Sequence, residues 1–147
     1  MSLFGNWKLK TSTKFDEYMK EVGVNWALRK AGAACSSTTE ITKVNINLRN
    51  SKLIFIFYLQ EGDGIRLNTQ STVRSTNCVF PIGKEIDYKT MDGRNVKSTL
   101  EFDNNVAKVT ERWDGKTSTI TYSVRNDQMV ITCEMNGVVC ERFHEKA

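Results

Sequence analysis

After Ser37 the chain alternates apolar and polar residues in short runs rich in Val, Ile and Thr. A period of two is the pattern of strands that bury one face. The runs are broken by Gly62-Asp63-Gly64, Asp92-Gly93, Asn104-Asn105, Asp114-Gly115, Asn126-Asp127 and Asn136-Gly137. Turn signals roughly every 10–12 residues predict successive antiparallel hairpins, hence a barrel or a sandwich. With one anomalous stretch set aside, ten strands can be counted, starting with Phe4–Lys10, which holds Trp7. A barrel of this size that closes on itself either fills its interior or holds one small ligand. Before Ser37 the period changes. Phe15, Tyr18, Met19 and Val22 recur at helical spacing and predict a helix. Thr13 with Asp16 reads as its capping box, with Asp for the usual Glu, and Gly23 as its end. Asn25 then caps a second helix, Trp26–Ala33, whose polar side shows Arg29 and Lys30. A DNA-binding role for this helix-turn-helix is disfavoured, because nothing else in the chain reads as helical.

The last strand pair carries the most chemistry. Asn136-Gly137 between two apolar runs is a strong hairpin signal, since a type I′ turn needs positive φ at both central residues. The turn sets Cys133 opposite Cys140 and Ile131 opposite Arg142. Alternation then puts Cys140, Arg142 and His144 on one face with Ile131 and Cys133, and Glu141, Phe143 and Glu145 on the other. If the first face points inward, Arg142 is a buried cation that needs an anion or several acceptors. If it points outward, Arg142 is an ordinary solvated side chain. The strand alone leaves both readings open.

Composition narrows the function classes. A chain of 147 residues is long enough for one domain with a substantial core. Its net charge of +4 is spread along the chain, which argues against dedicated nucleic-acid binding. No apolar run is long enough for a membrane span, and Met1–Trp7 lacks the basic and apolar regions of a signal peptide. Neither terminus carries a lipidation motif. The 4 cysteines and single histidine show no metal-ligand spacing, so no metal or other cofactor is expected. Cys133 and Cys140 would face each other at a hydrogen-bonded pair of the ladder, where a disulfide is strained, and reduced thiols in the cytosol are the simpler reading. An enzyme would have to rest on Cys140 and His144, a loose pairing with no oxyanion loop, so no catalytic residue is assigned.

Several ordered blocks add a resemblance. Asn6-Trp-Lys-Leu, Phe15-Asp-Glu-Tyr-Met-Lys-Glu-Val-Gly-Val, Arg29-Lys30, Gly83-Lys-Glu-Ile-Asp, Asp92-Gly-Arg-Asn-Val-Lys-Ser, Arg112-Trp-Asp-Gly-Lys and Glu141-Arg-Phe-His-Glu-Lys-Ala stand at matching spacing over nearly the whole chain. Together they resemble the intracellular lipid-binding proteins, most of all the fatty-acid-binding proteins of the heart and adipocyte type. The resemblance implies an all-β fold: a ten-stranded up-and-down antiparallel β-clam of the calycin kind, around a cavity lidded by the helix pair at about residues 15–33. It implies a non-enzymatic, cytoplasmic and in some members nuclear carrier of long-chain fatty acids, acting as a monomer. It also places Phe15, Tyr18, Met19, Ala33, Asp92 and Arg94 around the portal, Ser71 and Cys133 on the cavity wall, and Val73 where a phenylalanine gates the opening; Ile120, on the face of Tyr122, is a further ligand-binding candidate. Lys20, Arg29 and Lys30 match a basic helix surface that contacts anionic membranes; a merely solvated helix face is the competing reading.

The chain departs from that family at the anchor. The heart and adipocyte type holds the carboxylate with two arginines and a tyrosine. Arg142 matches one arginine, Tyr122 replaces the other, and His144 stands at the tyrosine. Tyr122 shares a face with Ile120 and Val124, consistent with pointing inward, but it brings a hydrogen bond and no charge. The expectation is a carboxylate on Arg142, helped by Tyr122 and by His144 when protonated. The alternatives are a less acidic lipid, such as a retinoid, sterol or bile-acid-like molecule, or an interaction module.

The anomalous stretch is 44–60. The family pattern runs from Thr39-Glu-Ile-Thr-Lys43 directly into Glu61-Gly-Asp-Gly-Ile65, and the 17 residues between contain no Gly, Pro, Asp, Glu or Cys. They read as a short intron translated in frame. The competing reading is a real extra hairpin, with Val44–Leu48 pairing Leu53–Gln60. In that form the uncharged run Leu53–Leu59 would be an aggregation or partner-binding surface.

Overall fold

The computed structural model describes residues 1–46 and 62–147. In chain order its elements are β1 (Gly5–Thr13), α1 (Phe15–Val22), α2 (Trp26–Ala34), β2 (Ser37–Ile46), β3 (Gly62–Ser71), β4 (Ser75–Pro81) and β5 (Glu85–Lys89). They continue as β6 (Asn95–Asp103), β7 (Val106–Trp113), β8 (Lys116–Arg125), β9 (Gln128–Met135) and β10 (Val138–Lys146). The strands form one antiparallel sheet in the order β4-β3-β2-β1-β10-β9-β8-β7-β6-β5. Among the described residues, no helix is long and apolar enough to cross a membrane.

The second half of the barrel is built by four two-residue hairpins. Asn104-Asn105, Asp114-Gly115, Asn126-Asp127 and Asn136-Gly137 all have positive φ at both positions. Asn, Asp and Gly tolerate that conformation, and its twist matches that of the flanking strands. The last hairpin therefore sets Cys140 against Cys133 and Arg142 against Ile131, as its sequence predicts. Gly62-Asp63-Gly64 is a correction. These residues are not a turn but the start of β3, paired with Ile46, Asn45 and Val44. The first three residues of the anomalous stretch thus lengthen β2, and Val44 pairs with Gly64. The rest of the predicted extra hairpin lies outside the described residues.

Closure is also less complete than a self-closing barrel would require. β4 and β5 are the two edges of the sheet and share no ladder. Side chains of β4 and β5 meet across the gap, and a bridge ties the residue after β4 to β6. The Phe80 and Tyr88 rings meet edge-on across the seam, 5.4 Å between centroids. Below them Ile82 bridges to Leu100, and the Gly83 N–H donates to the Leu100 carbonyl at 2.7 Å. The barrel floor is closed by the N-terminus. Leu3 and Trp7 are fully buried, and the Trp7 indole donates to the Leu3 carbonyl at 2.8 Å.

The lid has one firm half and one loose half. α1 buries Tyr18, Met19 and Val22, whereas α2 has no fully buried residue. The predicted capping box is absent. Thr13 stays in β1 with its hydroxyl near the Glu141 backbone, and Lys14 makes the turn at φ 56° with no side-chain cap. Gly23 ends α1 at φ 101°, and the Asn25 side chain caps α2 by accepting from the Leu28 N–H at 3.0 Å.

Candidate functional site

Between the lid and the inner face of the barrel lies a cavity of about 270 Å³. Its apolar wall includes Leu67, Phe80, Val109, Ile120 and Ile131. Of the twelve sequence-predicted ligand positions, Arg142, His144, Tyr122, Phe15, Tyr18, Met19, Ser71, Asp92, Arg94, Ile120 and Cys133 all line it. Ala33 does not. It is exposed, because α2 turns Leu28, Ala31 and Gly32 toward the cavity, and the helical period carries residue 33 to the other side. Val73 lies at the cavity mouth and is 52% exposed.

Three arginines line this space, and their partners distinguish them. Arg74 is exposed at the mouth and its Nη1 donates to the Met91 carbonyl at 2.8 Å. Arg94 is committed. Its Nε donates to Asp92 Oδ2 at 2.6 Å and its Nη2 to Asp92 Oδ1 at 3.0 Å, and Nη1 reaches Glu111 Oε2 at 3.4 Å. It also stacks on Trp113, 4.3 Å from the ring centroid. Burial pushes the Asp92 carboxyl up, but hydrogen bonds from Arg94 and Thr90 and the Arg94 charge outweigh it, leaving Asp92 below its usual value. Arg142 is different. It makes no ion pair among the described residues, and its Nε is buried with no hydrogen-bond partner. Its guanidinium lies 3.9 Å from the centroid of the Phe15 ring. Burial lowers its pKa, yet an arginine keeps its charge in proteins. The cavity therefore holds one desolvated cation whose only described neighbour of opposite character is the face of an aromatic ring.

The groups beside Arg142 are neutral. Tyr122, Ile131 and Arg142 form one row across β8, β9 and β10. Burial pushes the Tyr122 phenol well above its usual range, so it can only offer a hydrogen bond. His144 is 1% exposed, and burial and then the Arg142 charge push it down to about 4. Its Nδ1 lies 3.1 Å from the Arg142 carbonyl, which accepts from it in the tautomer protonated at Nδ1. At neutral pH this ring is uncharged and adds no positive charge to Arg142. Cys133 and Cys140, facing each other in the next row, are free thiols.

Glu111 is the residue that sequence reasoning passed over. It is 3% exposed and lines the cavity from β7. The signal was present: alternation puts it on the face of Ala107 and Val109, both buried. Arg29 likewise differs from a free basic side chain. Its Nε pairs with Asp16 at 3.1 Å and its Nη1 donates to the Val24 carbonyl at 2.8 Å, whereas Lys20 and Lys30 are exposed.

Known proteins share this architecture. A family model described as "Lipocalin / cytosolic fatty-acid binding protein family" matches residues 4–147. Fatty acid-binding protein 5 of Bos taurus is 35% identical over 144 residues, which cover 98% of this chain and 94% of that protein. The adipocyte fatty acid-binding protein of Pygoscelis papua is also 35% identical, over 97% of this chain and 96% of its own. Among solved structures, a Schistosoma mansoni fatty acid binding protein in complex with arachidonic acid superposes with a TM-score of 0.82 at 31% identity. That match covers 99% of this chain and 96% of the other.

Proposed function

Because the chain belongs to the lipocalin and cytosolic fatty-acid binding protein family, we propose that it binds a long-chain fatty acid inside the barrel, with the carboxylate on Arg142, and carries it through the cytosol. The observation that carries this reading is the unpaired, desolvated guanidinium of Arg142 on an otherwise largely apolar wall. A carboxylate brings the missing charge and two acceptor oxygens. The acyl chain contributes about 0.8 kcal/mol per buried CH₂. Tyr122 supplies one further hydrogen bond in this reading, and neutral His144 braces the Arg142 backbone rather than sharing the charge. Lys30, over the exposed Trp26 on α2, and Lys20 on α1 are the groups that would touch an anionic membrane during transfer. Arg29, tied to Asp16 and Val24, is assigned to holding α2 against α1 instead.

The test is displacement of a fluorescent fatty acid from delipidated protein by oleate and by retinol. Oleate is expected to displace it, and Arg142→Ala to weaken oleate roughly ten- to a hundredfold, the loss of a hydrogen bond to a charged group. Retinol is expected to change little in that variant. Displacement by retinol alone, or equal losses for both ligands, would replace this reading with a carrier of neutral lipids.

A further inference from the structure

Glu111 and Arg142 line the same cavity from different rows of the barrel wall. On β7 Glu111 lies four residues from Ala107, which occupies the Arg142 row, so the two rows are about 13 Å apart along the strand. Cys133 and Ile120 share the row of Val109, midway between the two. A carboxylate can accept about four hydrogen bonds. Among the described residues Glu111 receives one, the 3.4 Å contact from Arg94 Nη1.

The neighbours explain why it receives no more. Arg94 spends Nε and Nη2 on Asp92 at shorter distances, and Asp92 also takes the Thr90 hydroxyl at 2.7 Å. The Tyr18 hydroxyl is bonded to Ser118. Ser98, directly across from Glu111 on β6, is fully buried with its own hydroxyl unpartnered. Burial, more than Arg94 offsets, holds the Glu111 carboxyl above its usual value. The cavity therefore presents an under-satisfied acceptor at a point that a plain acyl chain meets only with CH₂ groups.

We propose that Glu111 is a second recognition point, selecting lipid carboxylates that carry a hydroxyl on the acyl chain. A hydroxyl suits this site better than a cation. Arg94 already offsets one of the two local carboxylates, and a second buried cation would have to shed its hydration for a half-compensated partner. The separation of the rows places the selected hydroxyl well along the chain, not beside the carboxyl group. This inference rests on the reading that Arg142 takes the carboxylate.

Direct calorimetric titration of the full chain tests it, with stearate and a set of hydroxystearates that differ only in hydroxyl position. At least one hydroxystearate is expected to bind wild type as tightly as stearate or more tightly. Glu111→Leu should weaken that acid roughly tenfold or more relative to stearate, with Glu111→Gln intermediate. The Gln variant keeps the shape and supplies the comparison should the Leu variant not fold. An unchanged ratio of hydroxystearate to stearate affinity in both variants would overturn the inference and leave fatty-acid binding standing. Glu111-dependent binding of a hydroxystearate without stearate binding would keep the inference and remove the plain fatty-acid reading. Binding of neither acid would remove both.

Discussion

At the scale of single residues, His144 makes the fold sensitive to mild acid. Its imidazole is pushed from 6.5 down to about 4 in the folded state. Between those values the unfolded chain binds a proton that the native state refuses, so stability falls as pH drops through that window. The shift corresponds to a loss on the order of 3 kcal/mol, complete near pH 4. Glu111 works in the opposite direction, because its carboxyl is raised and the native state takes its proton first. A paired comparison removes that background. His144→Gln keeps a donor for the Arg142 carbonyl but does not titrate here, so its urea-unfolding stability should fall less than wild type between pH 6.5 and 4. Parallel curves would mean that His144 charges in the native state without cost. Gly23 offers a second check at this scale. It sits at φ 101° with open space where a Cβ would go. Gly23→Ala should therefore cost about 1 kcal/mol through backbone strain alone, read from the same denaturation curves. A cost several times larger would point to a packing role instead.

At the scale of elements, the two lid helices should behave differently although both are short. α1 is fastened by buried Tyr18, Met19 and Val22, and by the Asn136 amide donating to Glu21 at 2.8 Å. α2 is held through Arg29 and by contacts at the cavity mouth, with nothing fully buried. Segments with few buried groups open at low free energy. Amide exchange in lipid-free protein should thus be faster across Trp26–Ala34 than across Phe15–Val22. Oleate should slow α2 most, because Leu28, Ala31 and Gly32 line the cavity. Equal protection of the two helices without lipid would contradict this division of the lid.

These elements also show what a sequence can carry. The hairpins from β6 to β10 were legible because Asn, Asp and Gly pairs fix both turn and register locally. The register put Arg142 on one face with Ile131 and Cys133, but did not decide which way that face points. Gly62-Asp63-Gly64 misled because the same residue types occur inside a strand. The seam between β4 and β5 depends on how the whole sheet curls, which no local pattern encodes. Ala33 was misplaced by a family match that ignored helical phase. The pairing of Arg94 with Asp92 was illegible because it depends on the turn that brings both side chains into the cavity. That pairing decides which guanidinium is free.

At the scale of the whole molecule, stability and binding pull in opposite directions at Arg142. In the lipid-free protein a charge has been moved out of water without a counter-ion, and contact with the Phe15 ring offsets only part of that cost. Bound carboxylate reverses the balance, and any ligand that binds only the native state raises stability in proportion to the logarithm of its concentration above Kd. Arg142→Met fills similar volume without charge. Lipid-free, it should be more stable than wild type by about 1–3 kcal/mol, seen as a higher urea midpoint at unchanged slope. Saturating oleate should raise the wild-type midpoint strongly and the variant's far less, so that the order of stability inverts when lipid is added. A lipid-free variant less stable than wild type would mean that Arg142 is satisfied within the protein, and the carboxylate would have to be sought elsewhere in the cavity.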